Sequence, residues 1–148
     1  MADVQHPEWA EHAQARLANA GFRRGGARRA VIELLGNQAC ALTAHEIDDR
    51  LRTQGRAVGR ASVYRALEQL TDLHLVARLE VGQDAARYEP VHPSGEHHHH
   101  LVCDTCGRVT PFEDRGLETA IDRLSRRVRF DVGDHDVVLH GSCEACRN

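Results

Sequence analysis

The chain has 148 residues, 41% hydrophobic and 28% charged, which is ordinary for a globular protein of one large or two small domains, long enough to bury a core. No run of about eighteen apolar residues occurs, and Met1 to Trp9 has neither a basic start nor an apolar stretch, so neither a membrane span nor a signal peptide is expected; the protein should be cytoplasmic. A net charge of -3 gives no global reason to expect nucleic acid, but from Arg23 to Arg65 nine arginines face four acids (Glu33, Glu46, Asp48, Asp49), so that window is locally cationic.

Trp9, Ala13, Leu17 and Ala20 recur at helical spacing and predict an amphipathic helix over 7–20, with Pro7 at its start and Gly21 after it. Ala27, Ala30, Val31, Leu34 and Leu35 predict a second helix ending at Gly36. Thr43 followed by Glu46 has the pattern of a capping box opening a third helix, with Ala44, Ile47 and Leu51 facing inward and Gly55 ending it. A fourth begins near Gly59 or Arg60 and carries Val63, Ala66, Leu67, Leu70 and Leu73 on one stripe. The period then changes: Leu75 to Val81 alternates, Gly82 to Asp84 suits a hairpin turn, and Ala85 to Pro90 is the returning strand. Short helices followed by a hairpin are the layout of a winged helix-turn-helix, whose last helix before the wing enters the DNA major groove. A generic small helical domain with an appended hairpin fits the same pattern.

Pro93 and Gly95, just after Pro90, mark 91–96 as a hinge between domains spanning 1–90 and 97–148. Beyond it, strands are expected over His99 to Cys103, Arg108 to Phe112 and Val137 to His140. Between the last two, Leu117, Ala120, Ile121, Leu124 and Val128 mark a helix. Such a small α/β unit is expected to dimerise.

Two CxxC pairs, Cys103/Cys106 and Cys143/Cys146, dominate this second half. Structural zinc takes four soft ligands at tetrahedral corners, and each CxxC turn offers two sulfurs, so the two pairs complete one closed shell. A pair of disulfides or a redox CxxC is the alternative; reducing cytoplasm shifts the balance toward metal. Cys40 is left over. The run His97 to His100 leads straight into Leu101-Val102-Cys103. If extended, it points His97 and His99 to one face and His98 and His100 to the other, so four histidines can serve two sites. A surface polyhistidine stretch is the competing reading.

The chain resembles the ferric uptake regulator family of bacterial metal-dependent repressors over nearly its whole length. The resemblance is carried by Gly59-Arg60-Ala61-Ser62-Val63-Tyr64-Arg65-Ala66-Leu67, by Arg87-Tyr88-Glu89, by the histidine run continuing through Cys103-Asp104-Thr105-Cys106-Gly107, and by the closing cysteine pair. It implies an α+β protein with an N-terminal winged helix-turn-helix domain and a C-terminal α/β dimerisation domain holding the four-cysteine zinc site. It also implies a homodimer on an inverted-repeat operator in double-stranded DNA. A departure precedes the second helix, where many relatives carry Thr and Gln and this chain has Arg24-Gly25-Gly26-Ala27-Arg28.

The same resemblance assigns Glu89, His98 and His100 to a sensing site beside the hinge, and His97, His99, Glu118 and His135 to an additional site in the dimerisation domain. Relatives supply the missing sensing ligand near positions occupied here by Ala41 and Ala77. Cys40 is the best substitute, with His92 and Glu80 as rivals, and a cysteine simply packed under the third helix is the alternative. A thiolate there would tilt the site toward zinc, whereas His and Glu alone suit iron(II) or manganese(II) equally. Glu89, where peroxide-sensing relatives tend to carry Asp, lowers that reading. Tyr64 and Arg65 are the candidates for base contact or close approach, and Ser62, Arg60 and Arg28 for phosphates. A zinc enzyme is the reading from another class. The deaminase pattern is incomplete, because Val102 and Ser142 rather than prolines precede the cysteine pairs and His6-Pro7-Glu8 matches only its first half; no enzyme is expected.

Overall fold

The computed structural model describes residues 7–38, 40–81, 85–95 and 97–147. The expected hairpin turn at 82–84, His6 and the Glu96 end of the hinge lie outside them. The chain divides into two compact units, Met1–Glu96 and His97–Asn148.

In the first unit, α1 (Pro7–Asn19) buries Trp9, Ala13 and Leu17, one residue per turn, and Gly21 turns the chain away at φ +84°. α2 (Gly26–Gly36) buries Ala30, Val31, Ile32, Leu34 and Leu35 in the core it shares with α1 and the helices that follow. α3 (Ala44–Thr53) opens on the expected capping box. The Glu46 N–H donates to Thr43 Oγ1 at 3.1 Å, and the Thr43 N–H donates to the Glu46 carboxylate at 3.0 Å. Its inward face is Ala44, Ile47 and Leu51 together with a charged residue, Asp48. α4 (Arg60–Asp72) buries Val63, Ala66, Leu67 and Leu70. Leu73, expected on that stripe, is only half-buried, because the helix has ended and it serves as the C-cap.

Three antiparallel strands complete this unit in the order β1-β3-β2: β1 (Leu42–Thr43), β2 (Val76–Leu79) and β3 (Arg87–Pro90). Both wing strands are shorter than the alternation suggested, and β1 was not expected, since two residues carry no period. Arg87 fastens the wing to α3, its Nη1 lying 3.4 Å from both the Ala41 carbonyl and the Glu46 carboxylate. The buried Trp9 indole N–H donates to the Leu75 carbonyl at 3.0 Å, so α1 is part of the core. This is a winged helix-turn-helix, with α4 the helix before the wing. Ile47 is fully buried at its centre. Ile47→Ala should therefore cost about 2–5 kcal/mol, read as a lower denaturation midpoint of this unit.

The second unit is a sheet ordered β5-β4-β6 with one helix. β4 (His99–Cys103) pairs antiparallel with β5 (Val109–Phe112) and parallel with β6 (Val138–Gly141). α5 (Arg115–Val128) is capped by Asp114, which accepts the Leu117 N–H at 2.8 Å. None of its described residues is buried, although Leu117, Ala120, Ile121, Leu124 and Val128 repeat at helical spacing. Leu124, Val128, Phe130 and Leu139 stay 47%, 56%, 67% and 50% exposed. One chain has too few elements here to cover that face. Among the described residues no helix is long and apolar enough to cross a membrane.

Candidate metal centres and nucleic-acid face

The second sheet sorts the ligands to two ends. β4 and β6 run parallel with Cys103 opposite Gly141, so both strands finish at the same edge and the CxxC turns that follow lie side by side. Gly107, at φ +74°, lets its N–H fold back onto the Cys103 carbonyl at 2.8 Å. In the second turn the Cys146 N–H reaches the Cys143 carbonyl at 2.9 Å. The four sulfurs fall within 4.8 Å of one another. Cys106 Sγ and Cys143 Sγ are 3.8 Å apart. Zinc–sulfur bonds of about 2.3 Å give a tetrahedral edge of about 3.8 Å, whereas a disulfide needs about 2.05 Å. The donor set fits zinc, and no disulfide joins the described cysteines.

Protonation follows the same geometry. Backbone N–H groups of Cys143 and then Cys106 aimed at its sulfur pull Cys103 down to about 6. Hydrogen bonds to the neighbouring sulfurs of Cys143 and Cys106, with burial after them, push Cys146 up to about 12. Four converging sulfurs cannot all shed protons unless a cation joins them.

At the other end of β4, antiparallel pairing sets His99 opposite Phe112, so the chain leaving β5 enters α5 with Glu118 in its first turn. The loop before β6 brings His135 to the same place. His99 Nε2 lies 2.6 Å and His135 Nε2 2.7 Å from the Glu118 carboxylate, and His97 Nε2 is 3.1 Å from His135 Nε2. Three imidazoles and a carboxylate within 4.8 Å form a four-donor set suited to a divalent ion. The Val137 N–H donates to His99 Nδ1 at 3.2 Å. With Nδ1 accepting, the His99 proton lies on Nε2, facing the Glu118 carboxylate. Hydrogen bonding from His99, then from His135, holds Glu118 below the usual carboxylate range. A depressed carboxylate stabilises the fold above its ordinary range and loses that contribution as pH falls through the lowered value.

His98 and His100 alternate away from this set just where β4 begins, with rings 5.0 Å apart. His100 is fully buried. Glu89 is buried on β3 opposite Ala77. Cys40 is half-buried in the first unit and belongs to none of the compact ligand groups among the described residues. Burial first, and then the nearby Glu89 charge, keep its thiol protonated above the ordinary range. Of its rivals, Glu80 is exposed and paired with Arg78 at 2.6 Å, and His92 is half-buried.

On α4, burial of every inward residue leaves Arg60, Tyr64 and Arg65 exposed, with Ser62 half-buried and accepting from Arg65 Nη2 at 3.4 Å. The helix's N-cap, Gly59, offers no side chain and its first turn holds no acid, so its positive end is open to anions. Arg28 differs. Its guanidinium donates to Gln69 Oε1 at 2.9 Å and to the Arg23 carbonyl, and lies over the Phe22 ring, so it reaches a phosphate only by leaving them. Sequence reading missed the burial of Asp48, although Ala44, Ile47, Asp48 and Leu51 stand at i, i+3, i+4 and i+7, the spacing of an inward stripe.

Residues 19–140 match the family model described as "Ferric uptake regulator family". The "Ferric uptake regulation protein" of Bacillus subtilis is 33% identical over 132 residues, 88% of this chain and 89% of that protein. The crystal structure of the Vibrio cholerae ferric uptake regulator superposes with a TM-score of 0.78 at 30% identity, covering 89% of this chain and 99% of that one. A Francisella tularensis ferric uptake regulator solved with iron gives 0.74 at 26%, covering 86% and 96%. With a winged helix in one unit and clustered metal donors in the other, the chain belongs to the ferric uptake regulator family, a metal-responsive transcriptional regulator that binds DNA as a dimer and not an enzyme.

Proposed function

We propose that this chain is a cytoplasmic repressor of metal uptake and homeostasis genes. It grips an inverted-repeat operator when a second divalent ion, zinc ahead of iron(II) or manganese(II), joins the structural zinc of the four cysteines. The regulatory donors are Glu89, His98 and His100, with Cys40 as the fourth. His97, His99, Glu118 and His135 are the additional set. The observation that carries this reading is the alternation along the histidine run: one pair is committed to Glu118 and His135, and the other pair faces elsewhere. When bound, the regulatory ion supplies fixed positive charge that keeps its donors converged. Glu89 belongs to the domain over 1–90 and the two histidines to the domain over 97–148, so donors held together restrict the freedom of one domain relative to the other across the 91–96 hinge. DNA affinity changes only by the difference in metal affinity between restricted and unrestricted forms.

The apolar face of α5, none of whose described residues is buried, is the surface a second copy would bury. In the dimer the two α4 helices would enter successive major grooves. Tyr64 and Arg65 would approach bases, and Ser62, Arg60 and Arg28 the phosphates. Arg65→Ala should weaken operator binding by about 1–3 kcal/mol with zinc content unchanged; an unaltered dissociation constant would remove Arg65 from the set.

Zinc is favoured by a mixed set of two imidazoles, a carboxylate and one thiol. Iron(II) is the second reading, supported by the naming of the Bacillus subtilis relative and the iron held by the Francisella tularensis protein. The test is fluorescence anisotropy on a duplex selected by the protein from a randomised pool, under buffered zinc, iron(II) and manganese(II). Zinc acting at the lowest free concentration relative to its cellular level supports the first reading, and a response confined to iron(II) supports the second.

A further inference from the structure

Asp48 is 1% exposed in the helix-turn-helix, and its Oδ2 is shared by two arginines: Nη2 of Arg52, one turn along α3, and Nε of Arg60, the first residue of α4, each at 3.3 Å. Among the described residues its other oxygen, Oδ1, is buried with no hydrogen-bond partner. Burying a carboxylate with one oxygen unsatisfied costs stability, and an apolar residue in this stripe would be the more stable choice. What the carboxylate does is hold two like-charged guanidinium groups against a single oxygen, where they would otherwise repel. Each uses one nitrogen on Asp48 and keeps its remaining N–H donors, and both side chains stay more than half exposed. Glu33 gathers Arg29 and Arg56 in a similar way but is only half-buried, so it fixes them less firmly than Asp48 does its pair.

We propose that Arg52 is a DNA-phosphate contact acting as a pair with Arg60, and that Asp48 is the positioning residue that builds the pair at the open N-terminus of the reading helix. This rests on the DNA-binding reading and adds to it a residue from α3. A guanidinium fork is suited to phosphate oxygens, and two forks held side by side grip one strand with little conformational entropy left to lose. The carboxylate's charge opposes DNA, so its two possible roles differ in sign. As a mere negative charge, its removal tightens binding; as the organiser of the pair, its removal loosens it.

The test is operator binding by the full metal-loaded chain at several salt concentrations, beside a non-cognate duplex of equal length. Arg52→Ala should weaken both and reduce the slope of log affinity against log salt by about 0.9, one phosphate's worth. Arg52→Lys keeps the charge and should keep most of the slope. Asp48→Asn should weaken operator binding about tenfold, the scale of a charge-assisted hydrogen bond, despite the added positive charge. Melting and zinc content identify a folded variant; if Asp48→Asn does not fold, Asp48→Ser in an Arg52→Ala background replaces it and should lower affinity no further than Arg52→Ala and Arg60→Ala combined. A folded Asp48 variant that binds as tightly as wild type or tighter, or an Arg52→Ala chain with wild-type salt slope, overturns the proposal alone. A wild-type chain that ignores both duplexes overturns the DNA reading with it.

Discussion

Cys103→Ser should leave the second unit unfolded and without zinc while the first unit melts as before. Its described apolar core is confined to Val102 and Cys103 beside the buried histidines, and α5 contributes nothing fully buried. A unit of about fifty residues with so little apolar burial cannot offset its own conformational entropy without a staple. A structural zinc site contributes about 10–16 kcal/mol of apparent binding energy in small zinc domains, more than a whole domain's typical stability. Serine removes the sulfur that joins the two knuckles, for Cys103 both ends β4 and accepts the Cys143 N–H at 3.3 Å. Far-UV circular dichroism with metal analysis reads the outcome. A Cys103→Ser protein that keeps its sheet signal and cooperative melting would show that this unit folds without the site.

Removing the His98 and His100 imidazoles should leave the fold standing and abolish the metal response. His100 is fully buried, so His100→Asn, which keeps a polar planar group of similar width, is the milder change, combined with His98→Ala. Coupling between two ligands of a regulator is typically about 5- to 150-fold in affinity, and the double variant should bring that factor close to one. Zinc bound at the four cysteines and the melting of both units should persist, because neither histidine takes part in the cysteine cluster or the Glu118 set. The measurement is operator affinity with and without buffered regulatory metal. A double variant retaining the wild-type ratio would move sensing to other donors, the Glu118 set first.

Much of this was legible because the deciding interactions are local. Thr43 and Glu46 are three residues apart and define the start of α3 by themselves. The alternation of the histidine run is the local i, i+2 pattern that carries on into β4, with His97 beside His99 and His98 beside His100, and each CxxC closes its own turn. What escaped depends on distant partners. β1 is two residues long and exists through pairing with Tyr88 and Arg87. Arg28 reads as a surface cation until Gln69, forty-one positions later, meets it. Asp48 reads as one acid of a charged helix, yet its position on the inward stripe was a usable signal. Leu117, Ala120, Ile121, Leu124 and Val128 mark a helix in the sequence and α5 is that helix, yet none of its described residues is buried.

If metal at the regulatory donors sets DNA affinity, a chelator mild enough to leave the four-cysteine zinc in place while emptying those donors should change operator binding. Operator affinity should fall by about 5- to 150-fold, and operator should tighten metal binding by the same factor, as linkage requires. Equal affinity for the operator with those donors filled and empty would show that they do not regulate DNA binding.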